Sequence, residues 1–323
     1  KPKRVRANMA MLGTKSYLKY EPRGVCLNIS PWNYPVNLTF GPLISAIAAG
    51  NTMMLKPSEL TPNLSAVLAK ITREVFNEDE VALFEGDAAM AQALMALPLD
   101  HIFFTGSPTL GKIVMNAAAK HLTSVTLELG GKTPTIVDDT ADLKKAAKII
   151  MWGKFTNNGQ TCIAPDHVYV HQTVKEAFLE ECRQVLAKVF GSGYEAQLAN
   201  PDYCRIVNER HFGRISNLLT AAKDAGAKVA AGGGVSANER FIQPTLLTDV
   251  PADSQLMQEE IFGPLLPVIA YSNIDEVIAD INSREKPLAL YVYSKHRPTI
   301  DRVLDNTSSG NACINHSIVH FFQ

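Results

Sequence analysis

From Gly24 onward the chain repeats one order: a short continuous apolar run, a turn, then a stretch with helical periodicity. GVCLNIS (24–30) reads as a buried strand, PWNYP (31–35) as a turn, and VNLTFGPLISAIAAG (36–50) as a helix ending at Gly50. NTMMLKP (51–57) is the second strand, with a helix over 63–76 after it. VALFEGD (81–87) precedes a helix over 88–96, HIFF (101–104) precedes one over 108–121, and SVTLEL (124–129) is the fifth strand. Strand alternating with helix in this way predicts a parallel sheet covered on both faces. Such sheets bind ligands at the carboxyl ends of their strands. The distinctive turns PWNYP, KPSE (56–59), FTGSP (104–108) and ELGG (128–131) all fall at that end.

After Gly131 the alternation continues. ADLKKAAKIIMWGKF (141–155) reads as a helix, HVYVH (167–171) as a strand, and 174–190 and 211–226 as amphipathic helices, the latter capped by Gly226. Strand-like runs follow at 228–233, 241–250, 264–272, 288–294 and 311–315, with helices near 275–283 and 298–305 and a glycine loop at 232–234. The first 22 residues are irregular, except that alternation in SYLKYEP suggests an edge strand. No internal repeat and no low-complexity linker occurs. The fold class is α/β, with two domains in the 323 residues.

Charge narrows the partners. With 31 basic against 32 acidic residues, neither a polyanion nor a membrane surface is implied. The opening KPKRVR reads as a solvated chain start or as a nucleic-acid arm. No apolar run is long enough to span a membrane, and the basic start lacks the apolar stretch of a signal peptide. The five cysteines are scattered and no Cys-x-x-Cys occurs, so neither a zinc site nor a disulfide framework is indicated. No histidine pair on a predicted helix stands at i, i+4 to suggest metal ligation. A reducing cytoplasm fits best, with no metal.

Candidate chemistry gathers in the turns. Cys162 stands behind Gly159-Gln160-Thr161 and ahead of Pro165, and turn residues put side chains into clefts. Glu128 ends an apolar run and is followed by Gly130-Gly131, which let a ligand or another backbone approach closely. A thiol nucleophile and a carboxylate base form one reading, and a small buried hydrophobe beside a solvated strand end forms the other. In FTGSP, Ser107 suits the N-cap and Pro108 the first helical position, so the helix amino end faces an anion or is simply capped. Lys56 closes its strand with Glu59 three residues on. That pair either meets a ribose diol, disfavouring a 2′-phosphate, or is a surface ion pair. Asn33 lies between two prolines, where its amide donates to an oxyanion or closes an Asx-turn. The dinucleotide fingerprint G-x-G-x-x-G is absent.

Six motifs in order, PWNYP (31–35), KPSE (56–59), FTGS (104–107), ELGGK (128–132), GQTC (159–162) and EEIFGP (259–264), resemble those of the aldehyde dehydrogenase superfamily. The resemblance covers nearly the whole chain, and GQTCIAPDHVYV and CINHSIVHF look most like its class 3 and coniferyl-aldehyde branch. It implies an NAD-binding domain over 23–131, a thiol-bearing catalytic domain over 132–323, and an edge or oligomerisation segment over 1–22. Cys162 would attack the aldehyde carbon, and Asn33 with the backbone N–H of Cys162 would hold the oxyanion. Hydride loss would leave a thioester, which water activated by Glu128 would hydrolyse. Cofactor contacts would come from Lys56, Glu59, Gly106, Ser107, Gly130, Glu260 and Phe262.

The implied function is oxidation of an aromatic or medium- to long-chain aldehyde to its acid with NAD, preferred over NADP because of Glu59, by a homodimer. Pro108 stands where the family often has a polar residue, which would remove one pyrophosphate contact. Tyr34, Trp152, Phe155 and Phe321 are each either substrate liners or core. Family members also extend before the point matching Lys1 and past that matching Gln323, so the chain is expected to be truncated at both ends. A second reading is therefore an inactive partial chain that binds dinucleotide or a partner subunit. A third, acyl transfer from the thioester to coenzyme A or phosphate, is opposed by Glu128.

Overall fold

The computed structural model describes residues 2–6 and 8–322, with only the backbone for 321 and 322. Two compact units divide the chain, Lys1–Leu129 and Gly130–Gln323.

The first unit is built on a five-stranded sheet in the spatial order Val81–Leu83, Thr52–Lys56, Val25–Ile29, His101–Gly106, Ser124–Leu129, every neighbouring pair parallel. The chain starts in the middle, winds out to one side, then returns to the other. Its switch point lies between Val25–Ile29 and His101–Gly106, the place where open parallel sheets bind ligands. The strand runs are nearly continuous in apolar residues because both faces are covered: Leu27, Leu55 and Ile102 are fully buried. The Pro62–Val75 helix buries Ser65, Leu68, Ala69 and Thr72, one stripe at helical spacing.

The helix after PWNYP runs over Pro35–Ala48 and contains Pro42, whose missing N–H would leave the carbonyl of Leu38 unpaired. Asn28, buried in the central strand, donates its side-chain amide to that carbonyl at 3.1 Å and to Thr39 O at 3.0 Å. The Ser30 and Thr39 hydroxyls meet at 2.6 Å. These bonds fix the helix, and the turn before it, to the sheet. The alternation in SYLKYEP does form a strand, Ser16–Leu18, but it pairs antiparallel with Lys3–Val5 in a separate ribbon rather than edging the main sheet.

The second unit holds a seven-stranded sheet in the order Lys228–Ala231, Thr245–Thr248, Leu265–Tyr271, His167–His171, Pro134–Val137, Ala289–Tyr293, Asn311–Ile314. All pairs are parallel except the edge pair Lys228–Ala231 with Thr245–Thr248. Pro134–Val137 is a central, fully buried strand that the patterning did not reveal. It is four residues long, opens on a proline and runs straight into Asp138-Asp139, so no period emerges. The run 241–250 is two strands, not one. Phe241–Ile242 pairs with Val235–Ser236, and after Pro244 the chain joins the main sheet as Thr245–Thr248. Among the described residues, no helix is long and apolar enough to cross a membrane.

Candidate active site

In the first unit the candidate groups sit on turns at the carboxyl ends of strands. Lys56 ends its strand buried, its ammonium donating to Pro57 O at 2.8 Å and reaching Glu59 Oε2 at 3.4 Å, while Glu59 stays partly exposed. Ser107 is the N-cap of the Pro108–Ala118 helix, its hydroxyl accepting from the Leu110 N–H at 3.4 Å, with Pro108 at the first helical position. Gly106 lies close to its own strand's Phe104, whose ring would come within 2.5 Å of an added Cβ. Asn33 and Tyr34 are half-buried just before the Pro35–Ala48 helix. A buried ammonium and a capped helix amino end supply donors, and the carboxylate beside them an acceptor, at the carboxyl end of one sheet: a set that fits the diol and phosphates of a dinucleotide, with no G-x-G-x-x-G needed.

Glu128 lies in the edge strand Ser124–Leu129, registered opposite Thr105. The residue is exposed, yet partial withdrawal of its carboxyl from water raises its pKa above the ordinary value. That is the direction a general base working near neutrality requires.

In the second unit the sites precede their strands. After the Leu143–Phe155 helix, Asn157, Asn158 and Gly159 are successively left-handed, with φ of 50°, 56° and 73°. For the two asparagines this conformation costs roughly 1–2 kcal/mol each, a cost their residue type softens. Gly159 is required where it stands, since an added Cβ would lie 2.3 Å from Gly263 O. The chain then delivers Cys162, half-buried at the margin of the unit's core. The hydroxyl of Tyr291 donates to Ile163 O at 2.7 Å, pinning the residue after the thiol.

The EEIFGP turn comes up against this thiol turn through the Gly159–Gly263 contact. Phe262 is itself left-handed, with φ 45°, which is uncommon for an aromatic residue and marks stored strain. Glu260 approaches the glycine pair, because a Cβ on Gly130 would fall 2.3 Å from its carboxylate. Burial, then the negative charge of Asp166, push the Glu260 carboxyl up to about 8, against a hydrogen bond from the Gly131 N–H.

Several groups that hold this arrangement escaped the sequence reading. Lys132 forms a buried, very close ion pair with Asp166 and donates to Leu256 O at 2.8 Å and Glu259 O at 3.0 Å. Asp166 also accepts from the Ile261 N–H at 2.9 Å. Burial alone would raise the Asp166 carboxyl, but the Lys132 ammonium overrides it and holds the group well below the usual carboxylate range. Arg214 donates to Glu259, to Glu260 O at 3.2 Å and to Ile261 O at 2.6 Å. Lys154 is fully buried, and desolvation lowers its ammonium to about 8. A lysine inside ELGGK was the one signal in the sequence; the remaining partners come from distant segments. Of the aromatic residues considered as liners, Phe155 is core, Trp152 is exposed, and the side chain of Phe321 lies outside the described residues.

Comparison with known proteins settles the family. The profile of the Aldehyde dehydrogenase family matches residues 3–321. The chain belongs to that family. The putative aldehyde dehydrogenase AldX of Bacillus subtilis is 51% identical over 307 residues, covering 94% of this chain and 68% of AldX. Aldehyde dehydrogenase family 3 member A2 of mouse is 45% identical over 314 residues, 97% of this chain and 63% of that protein, in keeping with the class 3 resemblance. A solved structure, the substrate-bound state of Staphylococcus aureus AldH, superposes with a TM-score of 0.94 at 45% identity, covering all of this chain and 69% of the other. The chain thus spans about two-thirds of the length of these relatives. As a family member it is an NAD(P)-dependent oxidoreductase that takes aldehydes to carboxylic acids.

Proposed function

We propose that this aldehyde dehydrogenase oxidises hydrophobic aldehydes, aromatic or medium- to long-chain aliphatic, with Cys162 as nucleophile. The observation that carries the reading is the thiol turn itself. Three left-handed residues in succession, locked against a strained Phe262 turn, deliver one cysteine to the edge of the core. Strain held in place by its surroundings is characteristic of functional sites.

In this reading Cys162, as thiolate, adds to the aldehyde carbon to give a tetrahedral thiohemiacetal. The Asn33 amide and the Cys162 N–H stabilise its oxyanion, and one such donor is worth about 10²–10³ in rate. Bound NAD supplies the hydride acceptor. Glu128, its carboxyl raised toward neutrality, takes a proton from the water that hydrolyses the resulting thioester on Cys162. Lys56 and Glu59 would hold the adenosine ribose diol, the carboxylate favouring NAD over NADP. Gly106 and Ser107 would face the pyrophosphate. Gly130, Glu260 and Phe262 would position the nicotinamide riboside. A homodimer in a reducing cytoplasm completes the reading, with residues 1–22 as an assembly segment, 23–131 as the cofactor domain and 132–323 as the thiol domain.

The test is NADH formation by this chain from NAD and a panel of aromatic and medium-chain aldehydes, beside Cys162→Ser. The variant is expected to lose turnover by about 10³ or more without unfolding. Comparable turnover by the serine variant would remove Cys162 from the chemistry. Turnover confined to short polar aldehydes would overturn the substrate class.

A further inference from the structure

The left-handed thiol turn is held from one side by a segment the reaction itself does not call on. Tyr203 is buried, and its ring stands edge-on to Phe190 at 5.0 Å and to Phe241 at 5.7 Å. Its hydroxyl shares one proton between Asn158 Oδ1 at 2.7 Å and Ile242 O at 2.9 Å. The other end of the Asn158 amide donates to Cys204 O at 2.8 Å. Gln160 repeats the pattern, donating to Arg205 O at 3.2 Å and accepting from the Val207 N–H at 3.0 Å. The segment is itself anchored, since the Ile206 N–H donates to Arg240 O at 3.1 Å. Both polar ends of a fully buried, left-handed asparagine are therefore fixed by residues 203 and 204.

We infer that Tyr203 is a positioning residue for Cys162: its hydroxyl, through Asn158, holds the thiol turn in the left-handed form. The inference rests on the reading of Cys162 as nucleophile, because it concerns what aims that thiol. Without the hydroxyl, Asn158 Oδ1 has lost its donor in a buried place, and the side chain must seek another partner. The backbone at 157–159 is then released toward the right-handed forms that non-glycine residues prefer. Cys162, three residues past Gly159, moves with it. The rings of Phe190 and Phe241 do not depend on the hydroxyl, so Tyr203→Phe separates positioning from packing.

The experiment is alkylation of the whole chain by iodoacetamide, with each cysteine followed by peptide mapping. Cys204 is replaced by serine in every arm, so that this exposed thiol beside Asn157 does not react first. In Tyr203→Phe, Cys162 should alkylate at least fivefold faster, while the buried reference thiols Cys26 and Cys182 stay within twofold. Asn158→Gly and Asn158→Ala lose the same side-chain bonds, but only alanine resists the left-handed backbone. Alanine should therefore disturb the Cys162 rate about tenfold more than glycine. In turnover, Tyr203→Phe should lower kcat and leave KM for aldehyde and NAD unchanged. A Cys162 rate within twofold of the parent would overturn the inference. So would Cys26, Cys182 and Cys162 rising together, which would make Tyr203 a general stability residue. Active Cys162→Ser would instead end the nucleophile reading and leave the alkylation result on the turn standing.

Discussion

In the first unit the turns with candidate chemistry follow their strands, whereas in the second they precede them. Lys56 closes Thr52–Lys56 and Ser107 follows His101–Gly106; Asp166 comes before His167–His171, and Phe262 before Leu265–Tyr271. A turn after a parallel strand leads into a helix amino end, whose free N–H groups and dipole offer positive charge without strain. A turn before a strand comes from the other direction, and the one bearing Cys162 follows a helix carboxyl end, which offers carbonyls. Positive charge must there be imported on side chains, as Lys132 and Arg214 do, and the backbone shaped by force, as at Asn157, Asn158 and Phe262. The first edge is built with little backbone distortion, although it too buries an ammonium, that of Lys56. The second stores backbone strain and a buried ion pair, features that gather at functional sites.

Glu128 tests that division hardest, because it is proposed to do chemistry from the relaxed edge. Glu128→Gln is expected to release one equivalent of NADH rapidly and then turn over about 10²–10⁴ more slowly, general-base assistance being worth that much. Rapid-mixing absorbance at the NADH band measures both phases. A base must be deprotonated to act, and this carboxyl titrates above the ordinary value. Deacylation by the parent should therefore fall as pH drops through a value above that of an ordinary glutamate, a limb the variant lacks. A steady-state rate within threefold of the parent would move the base elsewhere and leave the first unit with binding groups and Asn33 only.

The strained edge is probed through its ion pair. Asp166→Asn leaves the Lys132 ammonium buried without its counter-charge, a change that typically costs 3–5 kcal/mol in comparable buried pairs, so a loss of about that size is expected in urea unfolding. The folded pKa of Asp166 lies below its unfolded value of about 3.9. Its contribution is thus present above that pH and is lost as pH falls below it. The acid limb of the parent's stability profile should be steeper than that of the variant. A loss under about 1 kcal/mol would class the pair with exposed ion pairs and dissolve the contrast between the two edges.

How far the chain could be read follows the same line. The first unit was legible because its chemistry is local: strand, turn and helix are contiguous, so KPSE and FTGSP announce both the elements and their ends. The helix over 36–50 was readable within two residues of Pro35–Ala48 despite Pro42, yet the Asn28 amide that offsets that proline was invisible. In the second unit GQTC and EEIFGP stood out as motifs. The partners that shape them, Tyr203, Asp166 and Arg214, meet them only through tertiary folding, and no spacing foretells a bond across 45 residues such as Tyr203 to Asn158. Pro134–Val137 was missed for a different reason, being too short and too uniformly buried to show a period.

The smallest expected effect separates capping from ligand binding at the relaxed edge. Ser107→Ala removes the hydroxyl that accepts from the Leu110 N–H and should lower stability by about 1 kcal/mol, the usual worth of an N-cap. It should also raise KM for NAD a few-fold with kcat unchanged, as loss of uniform binding does. Ser107→Asp tells the two roles apart. An aspartate caps as well as serine and suits the helix dipole, so stability should return to that of the parent. Its charge, however, would stand where the pyrophosphate is proposed to lie. Calorimetric titration with NAD should then show weaker binding than for Ser107→Ala, most clearly at low salt, where like charges are least screened. If the aspartate restored both stability and NAD affinity, no anion would approach this helix end, and Ser107 would be a cap alone.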